Sequence, residues 1–334
     1  MIYPKFLKDN SVIGVTAPSD GISDELDLKR LDNAKLNLEK LGYKVIETNN
    51  VRTSINERSA SAKDRASHLE SLYLNPDVDL IISACGGEYI MEMIPYLNYD
   101  IILNNPKWFQ GYSDPTWLTY TITTNLDIAT VYSNNYKAFG MDILDKSILD
   151  NLSVLKGNQI TQNSFSKYEG TRREKITGLE GYNLTNDVNL KVINSTSCII
   201  KGRIIGGCMD VLGDIFGTKF DKTISFIEKY KEDGILWYFE NFSYSLSDIT
   251  RFLWKFKESG YFKYVKGFIF GRSLTIFEEE EYISSIMSIL KDLNVPIIID
   301  ADIGHIAPRV TIINGSIATV SCKDGKGSIK FEYK

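Results

Sequence analysis

The stretch VDLIISA, residues 78–84, is an almost unbroken apolar run, and it decides the fold class. A run of this kind is typical of a strand that is covered on both faces, as in a parallel sheet. Before it lie the β-rich segment SVIGVTA from Ser11, an amphipathic helix closed by Gly42, the segment YKVIET and a helix around Ala62 to Tyr73. Strands that alternate with helices predict βαβ units, so we expect an α/β chain whose first sheet is largely parallel.

The second half of the chain combines two patterns. Strand-like segments, CIIKGRIIGG, GILWYFEN, VKGFIFG and VPIIIDADIGH, alternate with helical periodicity such as that of residues 247–259. The final stretch instead has three alternating strands separated by the turn pairs Asn314-Gly315 and Asp324-Gly325. We therefore predict a mixed α/β region with an antiparallel end.

A polar segment without periodicity divides these two regions, from about Leu155 to Asn189. Such a segment indicates a linker or a long excursion. With 334 residues the chain is long enough for two ordinary domains. We predict a first domain over 1–155, an excursion over 156–190 and a second domain over 191–334.

Composition excludes several classes of protein. The chain has 43% hydrophobic and 24% charged residues, as globular proteins do, and its net charge of −5 argues against a nucleic-acid partner. We find no apolar run of the length of a signal peptide or a membrane span, and so expect a cytoplasmic protein without a membrane partner. The four cysteines are far apart and lack metal-ligand spacing, so we expect free thiols, no metal and no cofactor.

The segment QGYSDPTW places Ser113 between a glycine turn and the predicted start of a helix. Asp114 at the N-cap and Pro115 at the first helical position would start that helix and leave the Ser113 hydroxyl exposed near backbone N–H groups. This geometry suits a nucleophile, although serine and aspartate before a helix are usually only capping residues. In ACGGEY, the Gly87 N–H could join that of Asp114 in an oxyanion hole, or the glycines could simply form a turn.

A serine nucleophile needs a base, and the chain has two histidines. His68 belongs to a helix that reads as surface, where we expect a solvated bystander. His305 follows a predicted strand at its carboxyl end, where catalytic groups of α/β sheets gather. Glu240 follows five apolar residues at another strand end and could orient the imidazole. Each residue taken alone is more often structural or solvated than catalytic.

These residues carry a resemblance to a known family. The segments NPKWFQGYSDPTWL, LWYFENFSYSLSDITRFL, KGFIFGR and DADIGHIAPRVTIINGSIATV resemble, in order, the signature blocks of peptidase family S66. This family comprises the serine L,D-carboxypeptidases and includes the microcin C immunity hydrolases. The resemblance implies a Ser-His-Glu triad at Ser113, His305 and Glu240. It further implies a Rossmann-like N-terminal domain with the nucleophile, a smaller C-terminal domain with the other two residues, and commonly a homodimer.

The resemblance also implies a small peptide substrate. A murein peptide recovered in the cytoplasm would lose its terminal D-alanine, and Arg272, Arg309 and Tyr112 are our candidates for substrate binding. One alternative substrate is a peptidyl or aminoacyl nucleotide. Tyr168 or Tyr182 could then stack on its base. A further alternative is a non-catalytic protein that binds a ligand in the cleft.

Two further points concern residues close to these motifs. Cys85 lies next to the glycine turn, but we expect an inert thiol, because buried free cysteines are usually unreactive. Where many family members have a glycine-proline pair, this chain reads VYSNNY over residues 131–136. Since this segment lies near the substrate in the family, the difference bears on specificity and not on the chemistry.

Overall fold

The chain forms two large sheets and a small one in the computed structural model, which describes residues 1–158 and 161–333. Its strands are β1 (Val12–Thr16), β2 (Lys44–Glu47), β3 (Val78–Ser83), β4 (Trp108–Gly111), β5 (Thr130–Tyr132), β6 (Gln162–Asn163), β7 (Lys167–Glu169), β8 (Leu184–Asp187), β9 (Lys191–Val192), β10 (Ser197–Cys208), β11 (Ile235–Glu240), β12 (Val265–Gly271), β13 (Ile297–Ala301), β14 (Ile312–Asn314), β15 (Ile317–Lys323) and β16 (Lys326–Glu332). Its α-helices are α1 (Glu25–Lys40), α2 (Ala62–Leu74), α3 (Tyr99–Asn104), α4 (Thr116–Leu126), α5 (Lys146–Leu155), α6 (Met209–Ile215), α7 (Thr223–Lys229), α8 (Leu246–Glu258) and α9 (Glu279–Leu290). Short 3₁₀ helices cover Ile90–Glu92, Ile94–Tyr96, Tyr136–Gly140 and Lys291–Leu293.

The first sheet has the strand order β14-β5-β4-β3-β1-β2, and β1 to β5 run parallel. The stretch VDLIISA supplies β3 near its middle. Leu80 and Ile82 pack into one hydrophobic core, whereas Ile81 between them packs into the other. Successive side chains of a strand point to opposite faces, so this sheet is covered on both sides. The predicted α/β class and the largely parallel sheet are confirmed.

The second sheet combines parallel and antiparallel pairing, in the order β6-β16-β15-β10-β11-β12-β13-β9. Strands β10 to β13 run parallel, while β15 and β16 form the predicted antiparallel end. The third terminal strand, β14, lies elsewhere. It pairs antiparallel with β5 at the edge of the first sheet, with Ile312 opposite Tyr132. The chain therefore crosses between the sheets at Gly315, whose N–H donates to the Ile204 carbonyl at 2.8 Å.

The polar excursion contains local structure. Strands β7 and β8 pair antiparallel as a small separate sheet, and β6 pairs with β16 at the edge of the second sheet. Gln159 and Ile160, which belong to the predicted excursion, lie outside the described residues. The domain limits at 155 and 191 stay a prediction.

Three strands of the two sheets end at the same place. Strand β4 of the first sheet leads into Ser113, β11 of the second sheet ends at Glu240, and the segment after β13 carries His305. Ligand and catalytic sites of α/β proteins form at the carboxyl ends of parallel strands. The topology thus gathers residues that are far apart in the sequence.

Candidate active site

Ser113 lies in a tight turn between β4 and α4. Its φ is +71°, in the left-handed region that residues other than glycine rarely adopt. The N–H and the hydroxyl of Thr116 both donate to the Ser113 carbonyl, at 2.8 and 2.6 Å. These two bonds fix the turn, and this strained strand-to-helix turn resembles the nucleophile elbow of α/β-hydrolases in the way it presents the serine side chain.

The expected capping role of Asp114 is wrong. Helix α4 begins at Thr116 with Pro115 at the cap position, and no side chain caps it. The Asp114 carboxyl group does not bond to the first N–H groups of α4. It accepts hydrogen bonds from the Ser19 hydroxyl and, at 2.9 Å, from the Ile90 N–H. It therefore joins the serine turn to two neighbouring loops.

His305 connects the serine to an acid. Its Nε2 lies 2.9 Å from Ser113 Oγ, and its Nδ1 lies 2.8 Å from Glu240 Oε2. Burial would raise the pKa of Glu240, but the charge of His305 and hydrogen bonds from His305, Tyr132 and Cys208 together hold that pKa below its ordinary value. An ionised carboxylate only accepts hydrogen bonds, so the Nδ1 must carry the proton and Nε2 accepts from the serine hydroxyl.

We call the hydrogen-bonded series Ser113–His305–Glu240 the relay. Its histidine and glutamate are buried, which contradicts the hypothesis that they are solvated side chains. Glu240 is 1% exposed and His305 is 7% exposed. The imidazole is flanked by the rings of Tyr112 and Phe242, whose centroids lie 5.2 and 4.7 Å from its own. Gly304 lies against the acid, because a Cβ there would come within 2.6 Å of Glu240 Oε2. Packing thus holds the histidine and the glutamate in one arrangement.

The glycine turn after β3 lies beside the serine. Gly86 packs directly on it, since a Cβ there would lie 3.0 Å from Ser113 Oγ and 4.0 Å from the Asp114 nitrogen. Gly87 has a φ of +150°, and a Cβ there would collide with the Ser19 side chain. In the described parts of the chain, the Asp114 N–H meets no acceptor. An oxyanion hole formed by Gly87 and Asp114 stays a prediction.

His305 lines two cavities. The larger has a volume of about 700 Å³ and is lined by both apolar and charged side chains, among them Tyr168, Arg272, Leu274 and Phe277. The smaller has a volume of about 280 Å³, and its lining includes Gly86, Tyr112, Lys137, Tyr182 and Arg309. A substrate at the serine would therefore have room on both sides of the imidazole.

Comparison with known proteins identifies the family. The peptidase S66 model described as the LD-carboxypeptidase N-terminal domain matches residues 13–133, and the model of the C-terminal domain matches residues 201–320. The chain belongs to the peptidase S66 family. The predicted resemblance is confirmed.

This chain is similar to known relatives over most of their length and of its own. The chain is 24% identical over 309 residues to the microcin C7 self-immunity protein MccF of Escherichia coli, covering 89% of this chain and 86% of that protein. It is also 24% identical over 326 residues to a probable murein peptide carboxypeptidase of Bacillus subtilis, covering 95% and 91%. The crystal structure of an MccF-like protein from Bacillus anthracis superposes with a TM-score of 0.84, at 25% identity and 100% coverage of both chains. These matches indicate a hydrolase of the carboxypeptidase or MccF type.

The two candidate arginines of this S66 protein are both 5% exposed and already bound. Arg272 pairs with Asp302 and lies over the Tyr168 ring at 4.4 Å. Arg309 donates to the Gly304 carbonyl at 2.7 Å and to Asn134, and its guanidinium lies 4.3 Å from the centre of the Tyr112 ring. Arg309 thus borders the relay through Tyr112, whereas Arg272 lies further along the larger cavity.

The segment over residues 131–136 contributes contacts that the sequence did not reveal. Tyr132 donates to Glu240 Oε1 at 2.6 Å. Asn134 accepts from Arg309 and, at 3.3 Å, from the Tyr182 hydroxyl. Asn135 accepts from the Tyr112 N–H at 3.1 Å. No periodicity or spacing in the sequence indicated which of these side chains would reach the site.

His68 and Cys85 are the two residues to which the sequence analysis gave no catalytic role. His68 is half-buried on α2, so it is less solvated than expected. Desolvation raises the pKa of the Cys85 thiol to about 12, so this cysteine stays protonated at neutral pH and is a poor nucleophile. All four cysteines are free thiols, as predicted.

Two kinds of site are absent from residues 1–158 and 161–333. These residues contain no group of three or more His, Cys, Asp and Glu side chains that could hold a metal ion. Within the same ranges, every helix is too short or too polar to cross a bilayer.

Proposed function

We propose that the protein is a serine hydrolase in which Ser113, His305 and Glu240 form the catalytic triad. The observation that carries this proposal is the continuous relay from the serine hydroxyl through both imidazole nitrogens to a buried carboxylate. Ser113 Oγ would attack an amide carbonyl while His305 Nε2 takes its proton. The same nitrogen would then protonate the leaving amine, and water would release the acyl group by the reverse route.

Glu240 would act on the reaction through the imidazole. It fixes the Nδ1–H tautomer, which leaves Nε2 free to accept the serine proton. When the imidazole becomes charged, the carboxylate lies 2.8 Å from its Nδ1 and stabilises it. The Asp114 and Gly87 N–H groups are our proposed donors to the oxyanion of the tetrahedral intermediate.

We propose that the substrate is a small peptide and that the enzyme is an L,D-carboxypeptidase. A carboxypeptidase must bind a terminal carboxylate next to the scissile bond, and the smaller cavity offers cationic side chains there. Arg309, Lys137, Arg172 and Arg173 line it together with Tyr112, as do the carboxylates of Asp27, Glu169 and Glu180, of which Asp27 pairs with Lys137. Removal of D-alanine from a murein tetrapeptide during cell-wall recycling in the cytoplasm is the reaction that fits this reading and the Bacillus subtilis relative.

A second candidate substrate is a peptidyl or aminoacyl nucleotide. The observation in its favour is the larger cavity of about 700 Å³, in which Tyr168, Phe277 and Tyr282 offer aromatic surface. Its volume is within the range of small-molecule sites. Structures of MccF are known in complex with aspartyl sulfamoyl adenosine and with adenosine monophosphate.

One assay separates the two substrates. The purified protein is incubated with murein tetrapeptide and, separately, with aspartyl sulfamoyl adenosine, and the products are identified by mass spectrometry. Release of D-alanine from the first supports the carboxypeptidase, and release of aspartate from the second supports the nucleotide hydrolase. Hydrolysis of neither would favour the non-catalytic cleft-binding protein.

The matched control for this assay is Ser113→Ala. We expect at least about a ten-thousandfold loss of turnover with substrate binding and thermal unfolding nearly unchanged, because the hydroxyl serves the covalent step and not the packing. Turnover close to that of the wild type would exclude the serine mechanism. The family resemblance also leads us to propose a homodimer, which light scattering on a size-exclusion column would test.

A further inference from the structure

Tyr132 is bound to the proposed triad at a point that the reaction scheme does not use. Its hydroxyl lies 2.6 Å from Glu240 Oε1, while the other carboxylate oxygen, Oε2, faces His305 Nδ1 at 2.8 Å. The two oxygens of the carboxylate therefore have different partners. A carboxylate held at both oxygens has no freedom to rotate about its last bond.

The same hydroxyl also faces the backbone of the nucleophile. The Ser113 N–H points at the Tyr132 oxygen at 3.5 Å, a long hydrogen bond. The contacts thus form a closed circuit, from the serine N–H through Tyr132, Glu240 and His305 back to the serine hydroxyl.

The direction of the Tyr132 hydrogen bond is fixed by its surroundings. Burial and the negative charge of Glu240 raise the pKa of Tyr132 well above its ordinary value. The phenol is therefore protonated at neutral pH, and it donates to the carboxylate. Its ring is 1% exposed and is held edge-on against Tyr238, with centroids 5.4 Å apart.

We propose that Tyr132 is a positioning residue of the triad, whose hydroxyl orients the Glu240 carboxylate towards His305 and ties it to the serine turn. This inference rests on the proposed function. It assigns a role to a residue in the segment where this chain differs from many S66 sequences. The residue acts through Glu240 and need not touch the substrate.

Removing the hydroxyl should change the titration of the imidazole. With one donor fewer, the negative charge of Glu240 acts more strongly on His305 and favours the imidazolium form. Other groups that act on Glu240 or His305 are unchanged by the substitution. They are the thiol of Cys208 on β10, Arg309 and Glu88 on their loops, and the flanking Ser113 and Tyr112. Tyr238 on β11 is a neutral phenol whose hydroxyl bonds to Asn314 and not to Glu240.

The test compares Tyr132→Phe with Tyr238→Phe. Tyr238 is equally buried and packs on the same ring, but its hydroxyl bonds to Asn314 at 2.9 Å and not to the triad. Both variants lose one buried hydroxyl and keep the ring, so we expect the two substitutions to lower the free energy of unfolding by similar amounts.

The first readout is the titration of His305, followed by NMR of ¹⁵N-labelled histidine. The chain has two histidines, so the change His68→Gln leaves a single ring to follow. We expect the titration midpoint to move upward by about half a pH unit or more in Tyr132→Phe and to stay in place in Tyr238→Phe. Equal midpoints in the two variants would overturn the inference.

The second readout is the reactivity of the serine towards an alkyl fluorophosphonate. Ser113 Oγ would form a bond to phosphorus as fluoride leaves, with the serine proton taken by His305. We expect labelling to slow about tenfold or more in Tyr132→Phe, as for other residues that orient a reacting group, and to change less than about twofold in Tyr238→Phe.

The two proposals fail in different ways. A wild-type protein that is not labelled, or labelling that persists in Ser113→Ala, contradicts the proposed nucleophile. If Ser113→Ala is not labelled but Tyr132→Phe matches Tyr238→Phe in either readout, the triad stands and the role of Tyr132 is wrong.

Discussion

Asp114 and Glu240 are both almost fully buried beside the proposed nucleophile, at 4% and 1% exposure, yet their surroundings act on them in opposite directions. Burial raises the pKa of Asp114 to about 6 in spite of hydrogen bonds from Ser19 and Ile90. For Glu240, the charge of His305 and hydrogen bonds from its neighbours outweigh burial and lower the pKa. Burial by itself does not decide the charge of a carboxyl group, and a nearby cationic partner does.

The turn that carries Ser113 and Asp114 and the surroundings of Glu240 also differ in the interactions that stabilise them. The serine side depends on backbone conformation, with a left-handed Ser113 and two hydrogen bonds from Thr116 to its carbonyl. The acid side depends on side-chain contacts between residues from separate parts of the chain, Glu240, His305 and Tyr132. Substitutions should therefore affect the acid side through charge and packing.

The largest expected effect comes from removing the charge on the acid side. Glu240→Gln should lower kcat/KM by roughly a thousandfold or more, because the imidazole loses its partner and its tautomer control. Without the carboxylate the imidazolium is less favoured, so the acid limb of kcat/KM should move to lower pH. The pH profiles of the wild type and of the variant measure both effects. An unchanged rate and profile would remove Glu240 from the mechanism.

The next effect comes from crowding the acid without changing its charge. Gly304 has a φ of +96°, and an added Cβ would lie 2.6 Å from Glu240 Oε2. We expect Gly304→Ala to reduce kcat by about a hundredfold and to lower the free energy of unfolding by about 3 kcal/mol, through strain and displacement of the carboxylate.

Gly217→Ala is the control for the backbone strain in this variant. Gly217 has a φ of +74° with no atom within 4 Å of an added Cβ. It should cost only the backbone strain, about 1 kcal/mol, and leave kcat unchanged. Denaturant unfolding and kcat of both variants provide the comparison. Equal effects of the two substitutions would show that Gly304 does not hold Glu240 in place.

The smallest expected effect concerns Asp114 and stability. The folded protein keeps this proton up to about pH 6, whereas the ordinary value is 3.8. The folded state therefore binds more protons between these values, so its stabilisation is complete below about pH 3.8 and is lost as the pH rises through about 6. The shift corresponds to at most about 3 kcal/mol, and we expect about 2 kcal/mol after relaxation around the charge.

Asp114→Asn tests this expectation. The amide oxygen can accept from Ser19 and Ile90 as the protonated carboxyl group does, but it does not ionise. The free energy of unfolding of the variant should therefore gain on that of the wild type by about 2 kcal/mol between pH 4 and pH 8. Urea unfolding at several pH values measures it. A constant difference between the two proteins would mean that Asp114 is charged throughout.

Much of the fold and of the candidate site could be predicted from local patterns. The run VDLIISA is β3, the turn pair at Asp324 joins two antiparallel strands, and the serine does lie between a strand and a helix. The capping role of Asp114 was wrong, because a carboxyl group that suits a helix start by its position met donors from loops that are distant in the sequence. The placement of β14 beside β5 also had no local signal, since an alternating strand fits either sheet.

The sequence by itself determined the residue types and their places at strand ends: a serine in a turn before a helix, a glutamate after an apolar strand, a histidine after another, and membership of the S66 family. Local periodicity and turn chemistry suffice for this, because they act over a few residues. Only the tertiary structure decided that His305 bridges Ser113 and Glu240, that Tyr132 holds the acid, and that the two buried carboxyl groups have opposite pKa shifts. The physical reason is that hydrogen bonds and electrostatic interactions depend on distance in space, and strand order brings Ser113 and His305 together although they are 192 positions apart.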